Sequence, residues 1–212
     1  MKRLLSVICA LGISFGYSSS FELGDLRTGD LLFQTEGVSD FSQAISAATA
    51  KDTVSFVHVA IVNVGNDGNI EIIEASPQYG VRICSIDEFF KITKAQTDGP
   101  SYTVMRLDGD YPVAQAVERA RTFIGQPYDW YYLPDNGKMY CSELVYEAFL
   151  NGEGEHIFNA VPMNFRAPDG SMPQFWTDLY NELGIDVPEG VPGTNPNDLS
   201  KDPRLVNLGI LP

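Results

Sequence analysis

The stretch "QPYDWYYLPDNGKMYCSELVYEAF", residues 126–149, changes character at Cys141. A loop rich in Pro, Asp, Asn and Gly precedes it. After it, Leu144, Val145, Ala148 and Phe149 fall on one side of a helix. That side should pack on a core, which places Cys141 at or near the first helical turn. Backbone N–H groups there lack acceptors within the helix and carry partial positive charge, which favours thiolate over thiol. A thiolate is the nucleophile of acyl transfer, and the same N–H groups can hold an oxyanion. The competing reading is a small buried cysteine, or one half of a disulfide with Cys84.

A catalytic cysteine requires a base. "SFVHVAIVNV", residues 55–64, is rich in β-branched residues and reads as a strand. Alternation puts Phe56, His58, Ala60 and Val62 on one face and Val57, Val59 and Ile61 on the other. A buried imidazole needs a partner, so His58 is either a general base or a hydrogen-bonded core histidine. "GNDGN", residues 65–69, signals a hairpin turn into a returning strand, "IEIIEAS", residues 70–76. This hairpin brings Glu74 across from the histidine strand, where a carboxylate can orient the ring. Glu71 in the same strand is its rival. His156, in the polar segment "GEGEHIF", reads as a surface residue.

Further short strands are expected in "LRTGDLLFQ", "GVRICSI" and "SYTVMRL". Helices are expected in "SDFSQAISAATA", in "YPVAQAVERARTFIG" and near "MPQFWTDLYNEL". In the first, Ser39 or Asp40 can cap, and Phe41, Ala44, Ile45 and Ala48 share a face. In the second, Val113, Ala116, Val117, Ala120 and Ile124 line the apolar side, and Gly125 is the stop. The tail "VPEGVPGTNPNDL" reads as loop. Hairpin-linked strands with a few helices predict an α+β fold with a mainly antiparallel sheet. No internal linker interrupts residues 21–212, so they read as one domain.

Of the 212 residues, 44% are hydrophobic and 20% charged, enough for an ordinary core. Residues 1–20 read as a signal peptide: Lys2 and Arg3, then the apolar run Leu4 to Phe15, then Ser18, Ser19 and Ser20. Export to a periplasmic or extracellular location follows as an expectation. The run is short for a transmembrane helix and no later segment is a better candidate, so stable membrane insertion is not expected. Residues 21–212 hold 12 basic against 28 acidic residues, which disfavours nucleic acid as a partner. With two histidines and no Cys-x-x-Cys or His-x-x-x-His spacing, no metal or organic cofactor is expected.

These pieces together carry a resemblance. "GDLLFQ", "SFVHVAIV", "IIEAS" and "IGQPYDWYYLPDNGKMYCSELVYEAF", in that order and followed by "PQFWTDLY" and "VPGTNPNDLS", are similar to the YiiX/YebB-like group. These are circularly permuted papain-like cysteine hydrolases of the NlpC superfamily, in which the histidine strand precedes the cysteine helix, as it does here. The resemblance implies a permuted papain-like fold, with a small antiparallel sheet packed against helices that include the cysteine helix. It matches Cys141 to the nucleophile, His58 to the base and Glu74 to the polar residue that orients it. Tyr128 matches the tyrosine that polarises the substrate carbonyl, with Tyr131, Tyr132 and Tyr140 close by in sequence. It makes Cys84 a strand residue without chemistry. The expected activity is hydrolysis of an amide or related acyl bond, on an envelope substrate such as a peptidoglycan peptide. The alternatives are action on lipid or N-acyl amides, a non-catalytic binding module on the same fold, and a disulfide-stabilised secreted module.

Overall fold

The computed structural model describes residues 21–35, 37, 39–51, 54–96 and 102–211. The expected signal peptide, residues 1–20, lies outside them. The strands in chain order are β1 (Leu31–Thr35), β2 (Phe56–Val64), β3 (Ile70–Ser76), β4 (Gly80–Ser85), β5 (Tyr102–Leu107), β6 (Val161–Pro162), β7 (Pro192–Gly193) and β8 (Leu205–Leu211). Six of them form one sheet in the order β4-β3-β2-β1-β5-β8, and every neighbouring pair is antiparallel. β6 and β7 pair separately. The α+β class and the mainly antiparallel sheet expected from the hairpin pattern are what the chain forms.

From Val57 onward alternation along β2 sorts the core into two halves; Phe56, expected on the His58 face, instead packs in the same cluster as Val57, beside an irregularity in the β1–β2 register. Val57, Val59 and Ile61 join a cluster with Ile73 of β3 and with the helices α1 (Asp40–Thr49), α3 (Val113–Thr122), α4 (Cys141–Ala148) and α5 (Gln174–Leu183). Ala60 and Val62 join a second cluster with Leu32, Ile72 and Tyr102, covered by Phe89 of α2 (Ile86–Gln96). The Ser39 hydroxyl starts α1 by accepting from the Ser42 N–H at 3.1 Å. Leu144, Val145, Ala148 and Phe149 are fully buried, so the apolar side read from α4 does face the core.

Three expectations change. α2 was not anticipated, because it follows β4 with no Gly or Pro between them; the Ser85 hydroxyl caps it by accepting from the Glu88 N–H at 3.2 Å. The tail is more than loop: α6 (Pro196–Leu199) forms in it, and β8 returns beyond it to pair with β5 at the sheet edge. Ile124 is not on the apolar side of α3. The helix ends at Thr122, and Ile124 lies beyond it, 42% exposed.

One glycine is fixed by geometry. Gly80 has φ +66°, and a Cβ there would lie 2.3 Å from the Gln126 carbonyl oxygen. Val81 N–H donates to that oxygen at 2.8 Å, and Gly125 N–H donates to the Val81 oxygen at 2.9 Å. This close approach anchors the loop that carries Tyr128 to β4.

Candidate active site

The β2–β3 ladder runs only from Val64↔Ile70 to Ile61↔Ile73. Toward its start β2 keeps β1, with Gln34 opposite His58, while β3 keeps β4 as far as Ser76↔Gly80. Where the ladder stops, side chains bridge the two strands instead. His58 Nε2 lies 2.8 Å from Glu74 Oε2. The start of β2 is clamped from the tail: the Asn197 side chain accepts from the Phe56 N–H at 2.8 Å and donates to the Phe56 oxygen at 2.9 Å. This fixes the strand two residues before the imidazole.

Glu74 is 3% exposed and is held from its other side. Arg82 of β4 donates to Glu74 Oε1 through Nε at 2.8 Å and Nη2 at 2.5 Å. The guanidinium also reaches Glu88 at 2.9 Å and sits 4.0 Å over the Tyr79 ring. Two donors on one carboxylate oxygen fix its rotamer and leave Oε2 for the imidazole. Burial pushes the Glu74 carboxyl up, but His58 and then Arg82 outweigh it and hold Glu74 below the usual carboxylate range.

Cys141 is the first residue of α4 and is 5% exposed. Its side chain neighbours the His58 imidazole closely enough to act, with Glu74, on the charge of the ring. Since Nε2 is engaged with Glu74, Nδ1 is the ring atom left for the sulfur. Burial works against charge on His58, but Cys141 and Glu74 win, and its pKa is pushed up to about 10. His58, Glu74 and Arg82 thus form one hydrogen-bonded line through an apolar site, with Cys141 beside its imidazole end. Near the start of α4, Glu143 accepts from the Tyr140 N–H at 3.3 Å. Burial pushes the Glu143 carboxyl up to about 8.

Tyr128 is buried beside this line. Its hydroxyl lies 3.2 Å from that of Tyr132. Burial first, then the charge on Cys141, raises Tyr128 well above the usual phenol range, while the bond from Tyr132 lowers it. Either hydroxyl of the pair can be the donor. Tyr132 holds φ 52°, an uncommon backbone conformation for a non-glycine residue. Asp129, fully buried, supports that turn by accepting from the N–H groups of Tyr131 at 2.9 Å and Leu133 at 3.0 Å.

The rivals go elsewhere. Glu71 pairs with Asn63 at 2.9 Å and Arg121 at 2.6 Å. His156 is exposed, stacked on Tyr146 at 3.9 Å. Cys84 and Cys141 are both free, one in each core cluster, so the disulfide between them is not formed. Burial pushes the Cys84 thiol up to about 11. Sequence reasoning missed Arg82, Asp129 and Asn197. Arg82 could have been found from alternation in β4 had the β3–β4 register been known; Asn197 carried no signal.

Two hollows lie beside Cys141 and His58. One, about 370 Å3, is lined by His58, Glu74 and Arg82 with mostly apolar neighbours. The other, about 40 Å3, is lined by Cys141 and aromatic residues. Tyr128 borders both.

The model of a family described as "Permuted papain-like amidase enzyme, YaeF/YiiX, C92 family" matches residues 25–209. The chain is 25% identical over 185 residues to the uncharacterized protein YiiX of Escherichia coli (strain K12), covering 86% of this chain and 85% of that one. It is similar in fold to the crystal structure of the metalloprotein YiiX from Escherichia coli O157:H7, with TM-score 0.67 and 24% identity, over 85% of this chain and 95% of that chain.

Proposed function

The chain belongs to the permuted papain-like amidase family and is a cysteine hydrolase; from that premise we propose that Cys141, His58, Glu74 and Tyr128 are its catalytic residues, and that it is exported to cleave an amide in a cell-envelope substrate such as a peptidoglycan peptide. The observation that supports the assignment is the hydrogen-bonded line from His58 through Glu74 to Arg82, with Cys141 at the start of α4 acting on the same imidazole.

The sulfur, as thiolate opposite the imidazolium, attacks the carbonyl carbon. Charge develops on the carbonyl oxygen and is met by the Tyr128 hydroxyl and the N–H groups at the start of α4. His58 gives its proton to the leaving nitrogen, the C–N bond breaks, and a thioester remains on Cys141. A water then loses its proton to His58 and attacks the thioester, which frees the acid and the sulfur. Glu74 stabilises the imidazolium and fixes which nitrogen faces the sulfur. Arg82 acts through Glu74 as a positioning residue.

The description "metalloprotein" belongs to the Escherichia coli protein. Among the described residues of this chain, no three of His, Cys, Asp and Glu converge as a metal-ligand set. His58 is held between Cys141 and Glu74, so the residues present do not fit a metal and no step is routed through one.

The test is a panel of peptidoglycan fragments and acyl amides, incubated with wild type and with Cys141→Ala and read by mass spectrometry. The reading expects amine and acid products from wild type only. Equal product from Cys141→Ala would overturn the nucleophile.

A further inference from the structure

We propose that the site takes an amide with a short acyl part, of about two to four carbons, and a large, mostly apolar amine part. This rests on the catalytic residues proposed above and narrows the substrate to a short acyl amide, in place of a peptidoglycan peptide with its longer acyl part.

The argument is the position of the two hollows relative to the reacting atoms. The slot holds Cys141 and is walled by Tyr132, Tyr140, Met163, Phe165 and Trp176. The cleft holds His58 and Glu74 and is walled by Phe41, Tyr79, Ile92 and Trp130. Ile45, Val57 and Tyr128 are common to both, so the two adjoin there, with Cys141 lining one and His58 the other. In acyl transfer the acyl carbon bonds to sulfur, while the leaving nitrogen collects its proton from the imidazole. The acyl substituent therefore lies on the sulfur side and the amine on the imidazole side.

Size then assigns each part. A water-sized group needs about 10–15 Å3 of such space. The slot, about 40 Å3, has room for about three such groups. The cleft, about 370 Å3, takes a group several times larger. The slot walls are also keyed together. Tyr140 OH accepts from the Thr194 N–H at 3.0 Å. A Cβ on Gly193 would lie 2.5 Å from Met163 Sδ and 2.8 Å from Tyr140 OH. Side chains this closely fitted give way little to a longer chain.

The test uses the full chain and p-nitrophenyl acetate, butyrate and octanoate, which share one leaving group. In each, the ester C–O bond breaks, nitrophenolate leaves, and the acyl group stays on Cys141, where peptide mapping reads it. The acylation rate constant is expected to fall at least about tenfold from acetate to octanoate, the scale on which a few methylenes are discriminated. Met163→Ala, which deepens the slot, should narrow that ratio at least about fivefold. In a second arm, the acetyl thioester on wild-type Cys141 is offered ethylamine or phenethylamine. The amine nitrogen bonds to the acetyl carbon, the S–C bond breaks, and the amine's proton passes to the sulfur or His58. Phenethylamine should capture the acetyl group at a concentration at least about tenfold lower. Octanoate reacting as fast as acetate, or equal capture by the two amines, would overturn the size assignment and leave the nucleophile standing. No acylation of Cys141 by any ester would overturn the catalytic reading and this inference with it.

Discussion

His58 is hydrogen-bonded to Glu74 and neighboured by Cys141, and each makes a separable prediction. Removing the sulfur in Cys141→Ala, or the base in His58→Ala, should abolish turnover while circular dichroism stays native. Because the two act as a unit, the double variant should be hardly slower than either single one. His156→Ala, which touches only Tyr146 and its surroundings, should change nothing in the rate. Glu74→Gln removes the charge that steadies the imidazolium, so kcat should fall by roughly tenfold to a thousandfold, less than for a buried triad aspartate. It also leaves Arg82 without its buried carboxylate, at a cost on the order of 3 kcal/mol in chemical denaturation. Glu71→Gln is the control: its partners Asn63 and Arg121 lie away from the imidazole, so kcat should hold. A silent Glu74→Gln beside a damaging Glu71→Gln would reverse the assignment. Alternation in the strand says that only one of Glu71 and Glu74 can meet the histidine; that it is Glu74 follows from the β2–β3 register. Its burial and its hold by Arg82 depend on the β3–β4 register.

At the scale of elements, the start of α4 and the start of β4 carry the site. Glu143 is buried near the helix start, and its carboxyl is raised from 4.5 to about 8 by that burial. Between these pH values the folded protein binds more protons than the unfolded chain, so raising the pH favours unfolding. Stability from this group is complete below pH 4.5 and is lost as pH passes about 8. Glu143→Gln removes the titration and should melt higher than wild type at pH 8.5, with a flatter profile from pH 5 upward. Parallel profiles for the two proteins would contradict the burial account. Gly80→Ala should cost more than about 2 kcal/mol, from left-handed backbone strain plus the collision with the Gln126 oxygen. Since that contact anchors the Tyr128 loop, residual folded protein should also lose kcat. A melt unchanged from wild type would mean the loop is held by something else. The strands and the cysteine helix were legible because their apolar periodicity is strong and turn residues bound them. α2 and β8 were not: one follows a strand without punctuation, and the other is an edge strand interrupted by Gly209, of which only Leu211 is buried.

Across the whole molecule, the histidine strand comes early and the cysteine helix late, and the fold closes them on each other at the end of the β2–β3 ladder. That order was readable in the sequence, and the resemblance to permuted papain-like hydrolases implied the permuted arrangement. Which end of the ladder stays unpaired was not readable, because it depends on the tail: Asn197, near the end of the chain, clamps the first residue of β2. The two described cysteines sit in separate core clusters, so a thiol titration of the unfolded, unreduced chain should find both as thiols. The central claim is that this closure activates Cys141 through His58. It is tested most directly by peptide-mapped iodoacetamide alkylation of Cys141 at neutral pH, in wild type and in folded His58→Ala. The account predicts alkylation at least about tenfold faster in wild type. Equal rates in the two proteins, or Cys141 recovered in a disulfide with Cys84, would contradict it.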